Sequence, residues 1–287
     1  MASARDKRVT FTFRRLGSVK SARHFIESVF HLRQATNNPK LVYRGHGDLT
    51  YRLLPSVGRE ARYASRKKLF SRTDEIDLLH RFRRRAYPHF GRSLSAGEAL
   101  FIGRHHGLPT RLLDWTANAL YGLYFACITK EKKDGAVWAM QQWPSALNPF
   151  EIASLESEEE LANQYEGDKP DVPLGTQTHD WVKVVYPIFN SPRITAQDGT
   201  FTFHSNPWRA LEDYKGVEFW SQRTDIAALY CWRVKAASKA RIIADLSGLG
   251  ITHRLVFPDL DGIARSIWET DVLWHGDKAR RPKTALD

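Results

Sequence analysis

Between Ile102 and Cys127 the chain reads I-G-R-H-H-G-L-P-T-R-L-L-D-W-T-A-N-A-L-Y-G-L-Y-F-A-C, a density of polar groups that few core segments carry. It holds two adjacent histidines, His105 and His106, one carboxylate, Asp114, and the polar pair Trp115 and Thr116, and then becomes an apolar helix. Neighbouring histidines point in different directions, so a metal site built from either of them with Asp114 is the lesser reading. Asp114, Trp115 and Thr116 stand between an expected strand and a helix start at Ala117, where backbone donors and the helix dipole favour an anion. Further back, Arg44 closes a short strand, and a guanidinium there can hold a phosphate or carboxylate through paired hydrogen bonds. The same residues also have a purely structural use. Asp114 or Thr116 can cap the Ala117 helix, and Arg44 can pair with Asp114 with no ligand involved.

Elements with recognisable boundaries must position these groups. Ser95 and Glu98 form a capping box and Gly107 is the matching stop, so Ala96 to His106 should be a helix with Arg104, His105 and His106 in its last turn. Leu108 to Trp115 reads as a strand-like link. The next helix, from Ala117 to about Lys130, sets Leu120, Leu123, Tyr124, Cys127 and Ile128 on one face. Leu41 to Tyr43, Val9 to Phe13, Ala136 to Gln141, Val182 to Ile188 and Ala227 to Val234 read as strands. Further helices are expected from Ser18 as cap to about Gln34, from Thr73, from Ser154 to Tyr165, after Asn206-Pro207, from Ala236 to Leu249 and from Pro258 to Trp268. Arg59 to Arg72, dense in Arg and Lys, reads as a solvated loop or a polyanion-facing edge, and Gly167 to Asp180 as a polar surface loop. The whole is expected to be α+β, one mixed domain with a small central sheet flanked by helices. A basic segment, 1–17, precedes it and a basic tail, 271–287, follows.

Hydrophobic residues make up 42% of the 287, enough for a sizeable core. The formal charge of +11 favours polyanions or a phosphate-bearing small molecule. The only cysteines, Cys127 and Cys231, lie among apolar neighbours and are expected to be free thiols in a reducing cytoplasm. No apolar run is long enough to span a bilayer, and no membrane partner is expected. There is no P-loop, no G-x-G-x-x-G after a strand, no G-x-S-x-G and no C-x-x-C, which removes the ATPase, dinucleotide-fold, serine hydrolase and zinc-ribbon readings.

Four motifs taken together, Tyr43-Arg44-Gly45, His105 through Thr116 with Tyr124-Phe125-Ala126 behind it, Gln197-x-Gly199-x-Phe201-Thr202, and Phe257-Pro258-Asp259-Leu260-Asp261-Gly262, resemble the FRG domain family. The resemblance runs from about Ser18 to Glu269, with Arg104 standing where that family commonly has Gln. It implies a bacterial or phage protein with a role in toxin action or phage defence, together with partners such as an antitoxin. A weaker resemblance, to ADP-ribosyltransferases of the Arg-Ser-Glu class, implies an ADP-ribosyltransferase-like fold and an enzyme that takes NAD as substrate. On that resemblance Arg44, between Tyr43 and Gly45, grips the NAD phosphates, with Arg111, Trp115 and Thr116 as further cofactor-binding residues. His105 orients the nicotinamide or ribose, while Asp114 and Gln197 polarise the reacting sugar. Two departures stand out: no Ser-Thr-Ser is present, and Gln197 replaces the expected Glu, so Asp114 or Asp198 would supply the missing charge. Two other readings remain, a basic nucleic-acid-binding module and a metal-dependent nuclease. The leading reading requires Arg44, Gln197 and the 102–127 stretch to converge on one cleft floored by Asp114.

Overall fold

The structure, a computed structural model, describes residues 8–37, 40–63, 66–142, 157, 160, 181–186, 196–216, 218–220 and 226–267. The expected helix at Ser154 to Tyr165 lies largely outside them; the loop at Gly167 to Asp180 and the basic tail lie wholly outside. Eleven strands occur among the described residues: β1 (Arg8–Thr10), β2 (Thr12–Val19), β3 (Leu41–His46), β4 (Ala61–Tyr63), β5 (Arg66–Lys68), β6 (Leu112–Thr116), β7 (Gly135–Gln142), β8 (Val182–Val185), β9 (Gly199–His204), β10 (Glu218–Trp220) and β11 (Ile226–Val234). The helices are α1 (Ala22–Thr36), α2 (Arg72–Phe90), α3 (Ala96–His105), α4 (Ala119–Cys127), α5 (Lys239–Gly248), α6 (His253–Val256) and α7 (Leu260–Ile267).

The fold is α+β, built on a mixed seven-stranded open sheet in the order β2-β11-β7-β3-β6-β9-β8. The β2–β11 pair is parallel and every other neighbouring pair is antiparallel. One joint is weak. β3 pairs with β7 along its whole length, yet β3 and β6 share a single bridge, Tyr43 with Thr116. Beyond that bridge the ladder stops, which leaves a seam between Arg44 on one side and Asp114 on the other.

Residues paired across strands share a face, so Tyr43, Thr116 and, two residues further along β6, Asp114 and Leu112 alternate onto one side of the sheet. On that side α1, α4 and α5 bury Phe25, Leu123, Val137, Trp232 and Ile242 against the half ending in β3. α2 and α3 bury Leu79, Leu100, Phe101, Leu112 and Phe203 against the other half. The reverse face packs Leu53, Leu113, Trp138, Leu211, Tyr214 and Leu229. The α3 end and α4 therefore stand on either side of the seam.

Several local expectations are corrected. β2 continues through Val19 because Arg233 and Val234 of β11 pair with Ser18 and Val19, so α1 starts later, with Ser21 accepting the His24 amide as its cap. The basic stretch after Arg59 contains the β4–β5 hairpin instead of a loop. Asn206-Pro207 forms only a turn, in which Asn206 Oδ1 accepts the Trp208 amide. The capping box at Ser95 and Glu98 is formed, and Gly107 takes φ 87° just beyond the end of α3. The 257–262 motif packs: Phe257 lies edge-on to Phe125 at 5.8 Å, and Asp259 accepts the Gly262 amide at the start of α7.

Candidate functional site

A cleft of about 360 Å³ opens over the seam, lined by Tyr43, Arg44 and Gly45 of β3, by Arg104, His105 and Gly107 at the end of α3, by Asp114, Trp115 and Thr116 of β6, by Phe125 of α4, and by Gln197, Gly199 and Phe201. Strand alternation directs Arg44 toward the face opposite Asp114. The open ladder lets its guanidinium reach across, and Nη1 donates to the Asp114 backbone oxygen at 2.6 Å and to Oδ2 at 3.2 Å. A side chain thus supplies the β6 carbonyl with the partner that a continued ladder would have provided.

Asp114 is gripped by a second arginine as well. Arg104 Nε donates to Oδ1 at 3.0 Å and its Nη2 donates to Oδ2, the two-point geometry that suits guanidinium and carboxylate. Arg104 is held in turn by Ser56, whose Oγ accepts from Nη1 at 3.0 Å and from the Thr110 amide at 3.0 Å. On the β3 side His46 fixes Arg44: its Nε2 accepts from Arg44 Nε at 3.0 Å, while Nδ1 lies 3.2 Å from the Tyr51 carbonyl. That pattern sets the tautomer, with the proton on Nδ1.

The electrostatics follow from this packing. Burial alone would raise the Asp114 pKa, but Arg104 and then Arg44 drive it well below the usual carboxylate range, so it stays ionised. Burial lowers Arg44 to about 10 against the pull of Asp114, leaving it charged at neutral pH. Burial likewise opposes the charge on Arg104, but Asp114 outweighs it and the pKa rises. His46 is pushed down to about 3 by burial and by the Arg44 and Arg59 charges, and is therefore neutral. Asp114 keeps 40% of its side chain exposed, whereas Arg44 and Arg104 keep 15% and 16%.

Residues 39–135 match the FRG domain. This segment supplies β3, α3, β6 and α4, and so most of the cleft, while Gln197, Gly199 and Phe201 come from beyond it. Among curated proteins and among solved structures, no match to the chain is found.

Within the FRG segment the residues singled out from sequence divide by what their side chains do. Arg44, His105 and Asp114 line the cleft, as does Gln197 from outside the segment. Tyr43 lines it too, but its ring belongs to the core, 2% exposed. Gly45 lines the cleft and also serves packing: a Cβ there would stand 2.1 Å from the Gly122 carbonyl oxygen, so the glycine lets α4 lie directly on β3. Trp115 commits its indole Nε1 to Thr202, and Thr116 donates to the Gln197 carbonyl oxygen at 2.6 Å. Arg111 stands apart from the others. It is absent from the cleft lining and wholly buried, donating to Glu75 and to the His204 and Ser205 carbonyl oxygens, which fastens α2 to the sheet. The α4 cap is neither Asp114 nor Thr116 but Asn118, which accepts the Leu120 amide. Gln197 lines the cleft, and its Nε2 donates to the Val256 carbonyl oxygen at 3.0 Å.

Three groups that position the pair were not singled out as site residues: His46, Ser56 and Arg104. Alternation on β3 could have found His46, two residues from Arg44 and therefore on its face. Among the described residues no group of three His, Cys, Asp or Glu could hold a metal, and no helix is long and apolar enough to cross a membrane.

Proposed function

We propose that the cleft binds a phosphate-bearing nucleotide, with NAD as substrate, and that the protein is an ADP-ribosyl-transferring or NAD-cleaving enzyme. In keeping with the FRG likeness, it would act in the cytoplasm as a toxin or phage-defence effector. One observation carries the reading: two guanidiniums, Arg44 and Arg104, converge on a single carboxylate inside a cleft large enough for a nucleotide, so positive charge is left over. Phe125 also lines the cleft and offers an aromatic ring to a base or nicotinamide. The free thiols of Cys127 and Cys231, both buried, suit a reducing compartment.

In this reading Arg44 holds the phosphates, His105 contacts the nicotinamide or ribose, and the Gln197 amide hydrogen-bonds a ribose hydroxyl. The bond between ribose C1′ and the nicotinamide nitrogen breaks, nicotinamide leaves with the electron pair, and water or an acceptor nucleophile adds at C1′ with loss of its proton. Asp114 is the carboxylate nearest this chemistry. Its charge is already shared between two arginines, so it offsets a developing cationic sugar less than an unpaired carboxylate would, and its first task is to aim the guanidiniums. Incubation with NAD should release nicotinamide, and Arg44→Ala should abolish the release; no turnover together with no NAD binding refutes the proposal.

A second reading, non-enzymatic nucleic-acid binding, draws on the exposed Arg84 and Arg85 of α2 and on the net charge of +11. It requires an affinity for DNA or RNA that falls steeply with salt. The third, a metal-dependent nuclease, has no metal cluster among the described residues to recommend it.

A further inference from the structure

Gln197 and Phe125 come from distant parts of the chain, yet both line the cleft and both rest on the same short stretch. Gln197 Nε2 donates to the Val256 carbonyl oxygen at 3.0 Å, and Phe125 lies edge-on to Phe257 at 5.8 Å. Consecutive residues thus bring an amide and an aromatic ring together on the cleft. The stretch is itself fixed: Val256 is fully buried, His253 packs against the Phe257 ring at 4.6 Å, and His253 Nδ1 lies 2.9 Å from the Tyr124 hydroxyl on α4. The Gln197 backbone is anchored separately, by the Thr116 hydroxyl that donates to its carbonyl oxygen at 2.6 Å.

This anchoring decides what the amide can offer. A carbonyl oxygen accepts and does not donate, so the Val256 contact requires the Gln197 NH2 and settles which way the amide is turned. Turning it over would set two oxygens against each other. What remains is Oε1, an acceptor with two lone pairs and no partner among the described residues. A ligand ring that carries an exocyclic amine or carboxamide can pack on Phe125 and donate an N–H to Oε1, while the second lone pair stays open to a ribose hydroxyl. A ring without that N–H covers Oε1 and leaves it unpaired, a loss that a half-buried acceptor feels.

We infer that Gln197 is a specificity-determining residue: with Phe125 it forms a ring position that selects an aromatic heterocycle bearing an amine or carboxamide N–H and rejects one that lacks it. The inference rests on the cleft being the nucleotide site of the proposed function. Adenine and nicotinamide share this chemistry, so either end of a dinucleotide can supply it.

Calorimetric titration of the full chain with two matched pairs of ligands tests the selection and separates the two sources. For adenine, AMP is set against purine riboside 5′-monophosphate, which lacks only the amine. For nicotinamide, the unreactive analogue benzamide is set against acetophenone, in which a methyl group replaces the amide NH2. The pair whose ring takes this position should differ by about tenfold in Kd, and Gln197→Met, of similar length but without the acceptor, should bring that ratio close to one. Phe125→Leu should weaken both members of the pair and leave the ratio standing, and melting curves report whether each variant is folded. Discrimination within the AMP pair assigns the position to adenine, and within the benzamide pair to nicotinamide. If the unsubstituted protein discriminates within neither pair, or if the ratio survives Gln197→Met, the inference is overturned. Discrimination without nicotinamide release leaves the ring position standing and refutes only NAD cleavage; nicotinamide release without discrimination does the reverse.

Discussion

Replacing Asp114 with Asn tests the arginine clamp directly, because shape is kept and only the negative charge is removed. Arg44 and Arg104 would then face each other with the Asp114 backbone oxygen and a neutral amide as their remaining acceptors on β6. Breaking a fully buried ion pair costs about 3–5 kcal/mol, and an exposed pair is worth about 0.2–1 kcal/mol. Asp114 is 40% exposed while both arginines are largely covered, so screening by water places the expected loss between these limits, at about 1–2 kcal/mol. In urea at neutral pH and low salt this amounts to an unfolding midpoint lower by about half a molar. The pH dependence carries a second signature. A carboxylate whose folded pKa is depressed contributes stability that is present above its unfolded value of about 3.9 and is lost as pH falls through the folded one. The unsubstituted protein should therefore lose this contribution progressively below about pH 4, while Asp114→Asn lacks it at every pH, and the two curves should converge in acid. Added pyrophosphate should narrow the gap at neutral pH by binding the variant's uncompensated arginines. If Asp114→Asn unfolds at the same urea concentration or a higher one at neutral pH without added anion, the clamp has been misread.

Two other perturbations examine the scaffold around the site. Glu75→Gln leaves the Arg111 guanidinium buried without its carboxylate and should cost about 3–5 kcal/mol in chemical denaturation, whereas replacing both residues with apolar ones of similar volume should recover much of the loss; a single variant within about 1 kcal/mol of the parent contradicts that assignment. His46 and His204 are both held down to about 3, chiefly by burial, so the unfolded chain binds more protons than the folded one between that value and about 6.5. Stability should accordingly fall as pH drops from about 6.5 toward 3, by up to about 1.4 kcal/mol per pH unit for each histidine, and His204→Leu should flatten the slope measured by thermal melts across that range.

Much of the architecture was legible because it is written locally. The Ser95 and Glu98 box, the φ 87° glycine at 107 and the short strand beginning at Leu41 each act within a few residues. What could not be read depends on partners far along the chain. Ser18 reads as a good cap, and only the pairing of β2 with β11 carries the strand through Val19 and moves the helix start to Ser21. Arg111 sits in the same motif as Asp114, and nothing nearby shows that its partner is Glu75, on a helix 36 residues earlier. From sequence, an Arg44 and Asp114 pair is a structural alternative to a ligand site. The pairing is present and includes Arg104 as well, a position marked in sequence only as unusual. Nothing beside Gly45 in sequence shows that α4, more than 70 residues on, lies directly against it.

The lone Tyr43 to Thr116 bridge bears on how the molecule comes apart. Each side of the seam has its own helices and its own buried cluster on the helical face, so little backbone pairing obliges the two to unfold together. Arg44, rooted in β3 and bonded to β6, is one of the few cross-links at that line. The reverse face joins both sides in one buried cluster, Leu113 and Val184 with Trp138 and Leu229, so side chains tie the halves where the ladder is open, and a ligand held by Arg44 from one half and Arg104 from the other would add to that tie and raise the melting temperature.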